Sequence, residues 1–121
     1  MVALWHIYYV KKCRCTHPPK GKFVAVVCTS PNPYGFLVNS EIAPFIKKRP
    51  EFLASQVMIE VLRYSFLTHN SYIDCSRLRS FKSGELHSIQ NINNNTRKAI
   101  KGIVSGSRLI EPIYKKLICG K

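Results

Sequence analysis

Apolar and polar residues alternate along the first three quarters of the chain with the period of strands. Trp5, Ile7 and Tyr9 interleave with His6 and Tyr8, which predicts a half-buried first strand running toward Cys15. His17-Pro18-Pro19-Lys20-Gly21 ends it as a turn. Phe23-Val24-Ala25-Val26-Val27-Cys28 is a β-branched apolar run, the mark of a strand buried on both faces. Thr29-Ser30-Pro31-Asn32-Pro33 breaks that run, and Tyr34-Gly35-Phe36-Leu37-Val38-Asn39 resumes as a third strand across a five-residue, hairpin-like connection. Lys47 to Ser55 reads as a basic loop with one helical turn begun at Pro50. Gln56 to Leu62 alternates again, with Val57, Ile59 and Val61 on one face, and is the expected fourth strand.

Between Phe66 and Phe81, polar residues punctuate short apolar stretches, and a turn follows at Ser83-Gly84, so short strands with irregular connections are expected. The last quarter changes period. Asn95 or Thr96 is placed to cap a helix carrying Ala99, Ile100, Ile103 and Val104 on one face, with Gly106 at its stop. A second helix starts near Pro112, carries Ile113, Leu117 and Ile118 as its apolar stripe, and stops before Gly120. Several short strands followed by terminal helices predict a mainly β, α+β fold: a small barrel with C-terminal helices appended. The 121 residues suit one domain, residues 1–121, with a real core.

Charge changes the picture most. Nineteen Lys and Arg stand against six Asp and Glu, a net charge of +13 that repels itself in the folded state and points to a partner outside the chain. A polyanion fits first, because phosphate contacts by Lys and Arg release condensed counterions. An acidic protein and an anionic membrane surface draw on the same electrostatics. The cations run from Lys11 and Lys12 to Lys115 and Lys116, and 45% of residues are hydrophobic, so the expectation is a folded basic surface and not a disordered arm. No apolar run is long enough to span a membrane. Five cysteines, an odd number with no leader ahead of them, point to reduced thiols in a cytoplasmic protein. Cys13-x-Cys15 followed by His17 lacks the second ligand pair of a zinc site, so neither metal nor cofactor is expected. Cys28 and Cys75 read as core residues.

Several stretches resemble one known family. They are Lys20-Gly21-Lys22-Phe23-Val24-Ala25-Val26-Val27, then Ser71-Tyr72-Ile73-Asp74-Cys75-Ser76-Arg77-Leu78, with Gly84-Glu85-Leu86 after it. Together they resemble the PemK/MazF/Kid group of ribonuclease toxins over about half the chain, and His69-Asn70-Ser71-Tyr72-Ile73 is similar to a motif of PemK-like proteins in which an acidic residue often holds the place of Asn70. The chain departs from the family in lacking an opening Gly-Asp pair and in placing Lys22 where the toxins usually have Arg followed by Pro. The resemblance implies an SH3-like barrel, endoribonuclease activity on single-stranded RNA, and an acidic, partly disordered antitoxin covering a basic groove. The sequence sets no oligomeric state, and a homodimer stays open.

Metal-free RNA cleavage by the 2′-hydroxyl needs a group to take its proton, a group to protonate the leaving oxygen, and donors to hold phosphorane charge. His69, between Thr68 and Asn70 in an expected loop, suits acid or base work; its structural alternative is a ring that bonds backbone. Asp74 either orients His69 or acts as base, or else pairs with Arg77 or Arg79 to order the loop. Lys22 and Arg77 complete the candidate catalytic set as phosphate clamps, with Lys20 beside them. Ser71 and Thr29 are candidate donors to phosphate oxygens, His17 is a second acid or a turn-packing residue, Tyr34 is the aromatic expected to reach solvent and stack on a base, and Lys47, Lys48 and Arg49 join the nucleic-acid-binding set. Two other readings stay open: an RNA- or DNA-binding subunit without chemistry, and a protein-interaction module that meets an acidic partner.

Overall fold

The computed structural model describes residues 2–14, 16, 18–29 and 32–120. The long β-branched runs pair first in the chain: β1 (His6–Cys13) lies antiparallel to β2 (Lys20–Cys28), which lies antiparallel to β3 (Tyr34–Asn39). Two short helices, α1 (Pro44–Lys47) and α2 (Pro50–Leu53), each with Pro in the first turn, lead to β4 (Gln56–Ile59). Then come β5 (Ser71–Asp74), β6 (Arg79–Ser80), β7 (His87–Asn91), α3 (Asn94–Gly106) and α4 (Pro112–Cys119). The seven strands form one sheet in the order β4-β5-β3-β2-β1-β7, with β6 paired to β3, and every ladder is antiparallel. The expected closure into a barrel is not found. β4 and β7 end the path and share no ladder, so the described strands make an open sheet.

Both faces of the central strands are covered, by different means. On the first face Ile7, Ala25, Phe36, Val38 and Ile73 pack against Ile100 and Val104 of α3 and Ile118 of α4. On the second face Tyr8, Val10, Val24, Val26 and Leu37 pack under Phe81 from the segment after β6. Full burial of a side chain such as Ile7 or Ile100 stabilises by about 1.5–3 kcal/mol. β1 is therefore buried on both sides where half burial was expected, because Phe81 supplies a second cover. Gly35 permits the close β2–β3 approach: a Cβ there would stand 2.6 Å from the Ala25 carbonyl oxygen.

Trp5 fixes the entry to β1. It adopts φ 55, a left-handed conformation that costs a non-glycine residue about 1–2 kcal/mol. Its N–H donates to Val26 O and its carbonyl accepts from Ile92 N, while its ring lies under Arg97 and Lys101. α3 is capped by Asn93, whose Oδ1 accepts from Thr96 N, and not by the expected Asn95 or Thr96. The cap is anchored by the buried Tyr64 hydroxyl, which donates to Thr96 Oγ1 and accepts from Asn93 N. Ala99 faces solvent. α4 stops at Gly120, whose φ of 74 lets its N–H reach Lys116 O. Of the expected α4 stripe only Ile118 is buried; Ile113 and Leu117 are exposed. The fourth strand stops at Ile59, and Val61 opens a short 3-10 turn, Val61–Arg63.

Candidate nucleic-acid interface

Strand alternation puts Lys20 and Lys22 on the second face of β2, beyond the end of the apolar patch formed by Val24 and Val26. The β2–β3 ladder pairs Phe23 with Val38, so Lys22 meets Asn39, and its Nζ donates to Asn39 Oδ1 at 2.6 Å. Asn39 pairs in turn with Tyr72 of β5, and Asp74, two residues on, pairs with Gln56 of β4. Since Ile73 faces the core, Tyr72 and Asp74 share the second face with Lys22. Asp74 Oδ1 collects three donors: Gln56 Nε2 at 2.9 Å, Ser76 N at 3.1 Å and the Ser76 hydroxyl. Its Oδ2 accepts no hydrogen bond from the described residues.

Lys22 is half buried, and burial pulls its pKa below the usual lysine range; the charge of Lys20 adds to the shift, while Cys13 and Asp74 oppose it. The amine therefore sits in a partly desolvated site with a carboxylate near enough to feel. Nearby lies a cleft of about 490 Å³ lined by Val10, Cys13 and Phe81 and by Arg14, Ser80, Lys82 and Glu85, whose carboxylate accepts from Lys82 N. Val10 and Cys13 are the ladder partners of Lys22 and Lys20, so the cleft borders the strands that carry the cluster, although Lys20, Lys22, Asn39 and Asp74 do not line it. The excursion through α1 and α2 leaves the sheet just after Asn39, carries the exposed Lys47, Lys48 and Arg49, and returns at Gln56. The Arg49 guanidinium lies 5.5 Å from the Phe52 ring centroid.

Of the expected site residues, Lys20, Lys22 and Asp74 are thus brought together, and others go elsewhere. His69 is exposed in the loop before β5, at the opposite end of that strand from Asp74, and its Nδ1 lies 3.0 Å from Thr68 Oγ1. Asp74 does not orient it. Nor does Asp74 pair with Arg77 or Arg79; its hydrogen bonds go to Gln56 and Ser76. Arg77 is exposed beside a small hollow of about 210 Å³ shared with Glu111 and Tyr114. Ser71 is buried, and its hydroxyl donates to the His69 carbonyl, so it is not presented to a phosphate. Thr29 follows β2 at the end remote from Lys22, roughly 23 Å along the strand at 3.3 Å per residue. Tyr34 stacks on Tyr114 with centroids 5.0 Å apart and accepts a long 3.5 Å hydrogen bond from its hydroxyl, so it packs under α4 instead of reaching into solvent. That bond is the main reason the Tyr114 pKa is raised. His17 and Cys15 lie outside the described residues.

Asn39, Gln56 and Ser76 escaped the sequence reading: Asn39 and Gln56 are ordinary polar residues at strand ends that only the ladder register makes neighbours of Lys22 and Asp74, and Ser76 bonds Asp74 through a local turn two residues on. Cys75 and Cys119 are free thiols, and burial, with Asp74 close by, pushes the Cys75 pKa upward. Among the described residues no group of three or more His, Cys, Asp or Glu is arranged to hold a metal ion, and no helix is long and apolar enough to cross a membrane.

The sequence matches no family model and no curated protein. Among solved structures, the fold is similar to that of Mycobacterium tuberculosis toxin MazF-mt6, with a TM-score of 0.59 over 81% of this chain and 91% of that one, at 12% sequence identity. The likeness establishes a MazF-like fold, here an antiparallel sheet of seven strands with four α-helices among the described residues.

Proposed function

We propose that this chain is a toxin-like endoribonuclease that draws single-stranded RNA across the second face of its sheet and cleaves it at the Lys22–Asn39–Asp74 cluster. The observation that carries the reading is the cluster itself: a half-buried lysine, held by Asn39 and beside Asp74, next to a cleft walled by Arg14 and Lys82 on a chain of net charge +13. The fold shared with a MazF toxin supports the same class of activity. Asp74 Oδ2, which no described donor occupies, takes the proton of the 2′-hydroxyl. The 2′-oxygen attacks phosphorus while Lys22 faces the developing charge and, its pKa lowered by burial, supplies the proton to the departing 5′-oxygen. The products are a 2′,3′-cyclic phosphate and a 5′-hydroxyl. Tyr72, on the same face, offers a stacking surface for a base. The groove also suits an acidic, antitoxin-like segment, which would compete with RNA for Lys20 and Lys22.

The test is cleavage of a mixed single-stranded RNA pool, with the ends analysed. Asp74→Asn and Lys22→Met are each expected to slow cleavage by about 10²-fold, the usual worth of a proton-transfer group. A wild-type preparation that binds the RNA and leaves it intact would defeat the enzyme reading and leave a binding subunit.

A further inference from the structure

The helical layer carries a second basic surface on the other side of the sheet from Lys22. Residues 92–120 hold six cations, Arg97, Lys98, Lys101, Arg108, Lys115 and Lys116, against a single carboxylate, Glu111. Among the described residues none of the six is in an ion pair. Ile100 and Val104 turn one stripe of α3 into the core, which leaves Arg97, Lys98 and Lys101 on the remainder of that helix. The Arg97 guanidinium and the Lys101 ammonium lie 5.1 Å and 5.6 Å from the Trp5 ring centroid, so two of these charges are ordered before any ligand arrives.

Such a surface repels itself unless an external anion meets it, and its remaining features select the kind of anion. Recognition of a single strand relies on exposed aromatic rings. Here the rings are already engaged: Trp5 is buried beneath its two cations, and Tyr114 is stacked on Tyr34. What α3 offers is a rigid rod of 13 residues, about 20 Å long, bearing charge and small polar groups. At its exposed Gly102 nothing stands within 4 Å of where a Cβ would be, so a backbone can approach closely. Double-helical RNA is recognised through its phosphates and shape, which is the chemistry this face presents. We propose that the α3 face binds the phosphate backbone of double-helical RNA, so that the protein grips folded regions of an RNA on one side while the groove on the other side takes a single strand. The inference does not depend on cleavage.

A blunt-ended RNA duplex and a single-stranded oligomer, each titrated at about 50 mM salt against wild-type and variant protein, test it. Lys98→Glu combined with Lys101→Gln is expected to weaken duplex binding by about tenfold or more and to flatten its salt dependence by about two contacts, with single-strand binding unchanged. Lys98→Glu alone, which leaves the Trp5 stack intact, should weaken the duplex by about threefold. Lys22→Met should leave duplex binding intact whether or not the groove cleaves RNA. The proposal is overturned if wild-type protein ignores the duplex at low salt, or if the double variant binds it as wild type does. It is equally overturned if duplex binding is lost with Lys22→Met, or if the face captures polyglutamate and not duplex RNA, the signature of an acidic protein partner.

Discussion

Lys22 and Lys98 carry the same charge on opposite sides of one sheet, and their surroundings make them different reagents. Lys22 is half buried, bonded to Asn39, crowded by Lys20 and close to a carboxylate with one oxygen that no described donor occupies. Lys98 stands in solvent on α3 without a partner among the described residues. Burial lowers the pKa of the first, whereas the second is an exposed, flexible ammonium open to phosphate. A uniformly basic composition thus resolves into one surface whose lysine is half buried and hydrogen-bonded and another whose Lys98 is exposed, the first proposed for cleavage and the second for duplex binding. The glycines repeat the contrast. Gly35, on the groove side, has no room for a methyl group, whereas Gly102, on the helical side, has nothing above it.

The largest effect expected from breaking this comparison is at Gly35. Gly35→Ala forces β2 and β3 apart at the Ala25 carbonyl and should lower the unfolding free energy by about 3 kcal/mol, the upper range of overpacking costs, in a denaturant titration. Wild-type stability in that variant would show that the groove floor does not depend on the close approach. Next in size, Lys22→Met should cost about 10²-fold in cleavage without lowering stability, because it removes a partly desolvated charge. The pH dependence has a definite sign. Below its lowered folded-state pKa the Lys22 charge disfavours the native state. Across the window up to the ordinary lysine value the unfolded chain binds more protons, so the Lys22 contribution to stability rises with pH there. If Lys22 is the acid, cleavage is expected to run the other way, falling as Lys22 loses its proton, on an alkaline limb below the usual lysine range. Asn39→Asp sets a carboxylate against the amine and should move that limb upward; an unmoved limb would exclude Lys22 as the titrating group. Gly102→Ala, by contrast, should stabilise by about 0.5–1 kcal/mol, since an exposed helix position gains from losing glycine. The smallest effect is expected at His69, where His69→Ala should change cleavage by less than about threefold; a larger loss would relocate the chemistry to the loop before β5.

How far the sequence carried depends on the range of the signal. β3 and the Phe23–Cys28 part of β2 were legible because a β-branched run bounded by Pro and Gly admits few alternatives, and α4 because Pro112 and Gly120 punctuate both ends; Lys20 and Gly21, expected in the turn, instead open β2, paired with β1 at Cys13. β7 was not, since His87, Ser88 and Ile89 are all exposed at the sheet edge and carry no alternation. Asn93 was passed over as a cap because three successive asparagines offer the same chemistry, and only the Tyr64 hydroxyl decides among them. Lys22 and Asp74 stood out by residue type, but their meeting depends on the β3–β5 register across Asn39, a contact between residues far apart in the chain. His69 drew attention through its loop context, which says nothing about where the loop lies. Tyr34 followed a turn and looked exposed, but a tyrosine 80 residues later covers it.

Single-turnover cleavage of a single-stranded RNA pool by wild-type, Lys22→Met and His69→Ala proteins, each first matched for folding by its denaturation midpoint, tests the central claim most directly. Cyclic-phosphate ends are expected from the wild-type and His69→Ala proteins at rates within about threefold of each other, and a rate lower by about 10²-fold from Lys22→Met. Undiminished cleavage by Lys22→Met, or its loss in His69→Ala alone, would contradict the assignment of the reacting centre to the groove.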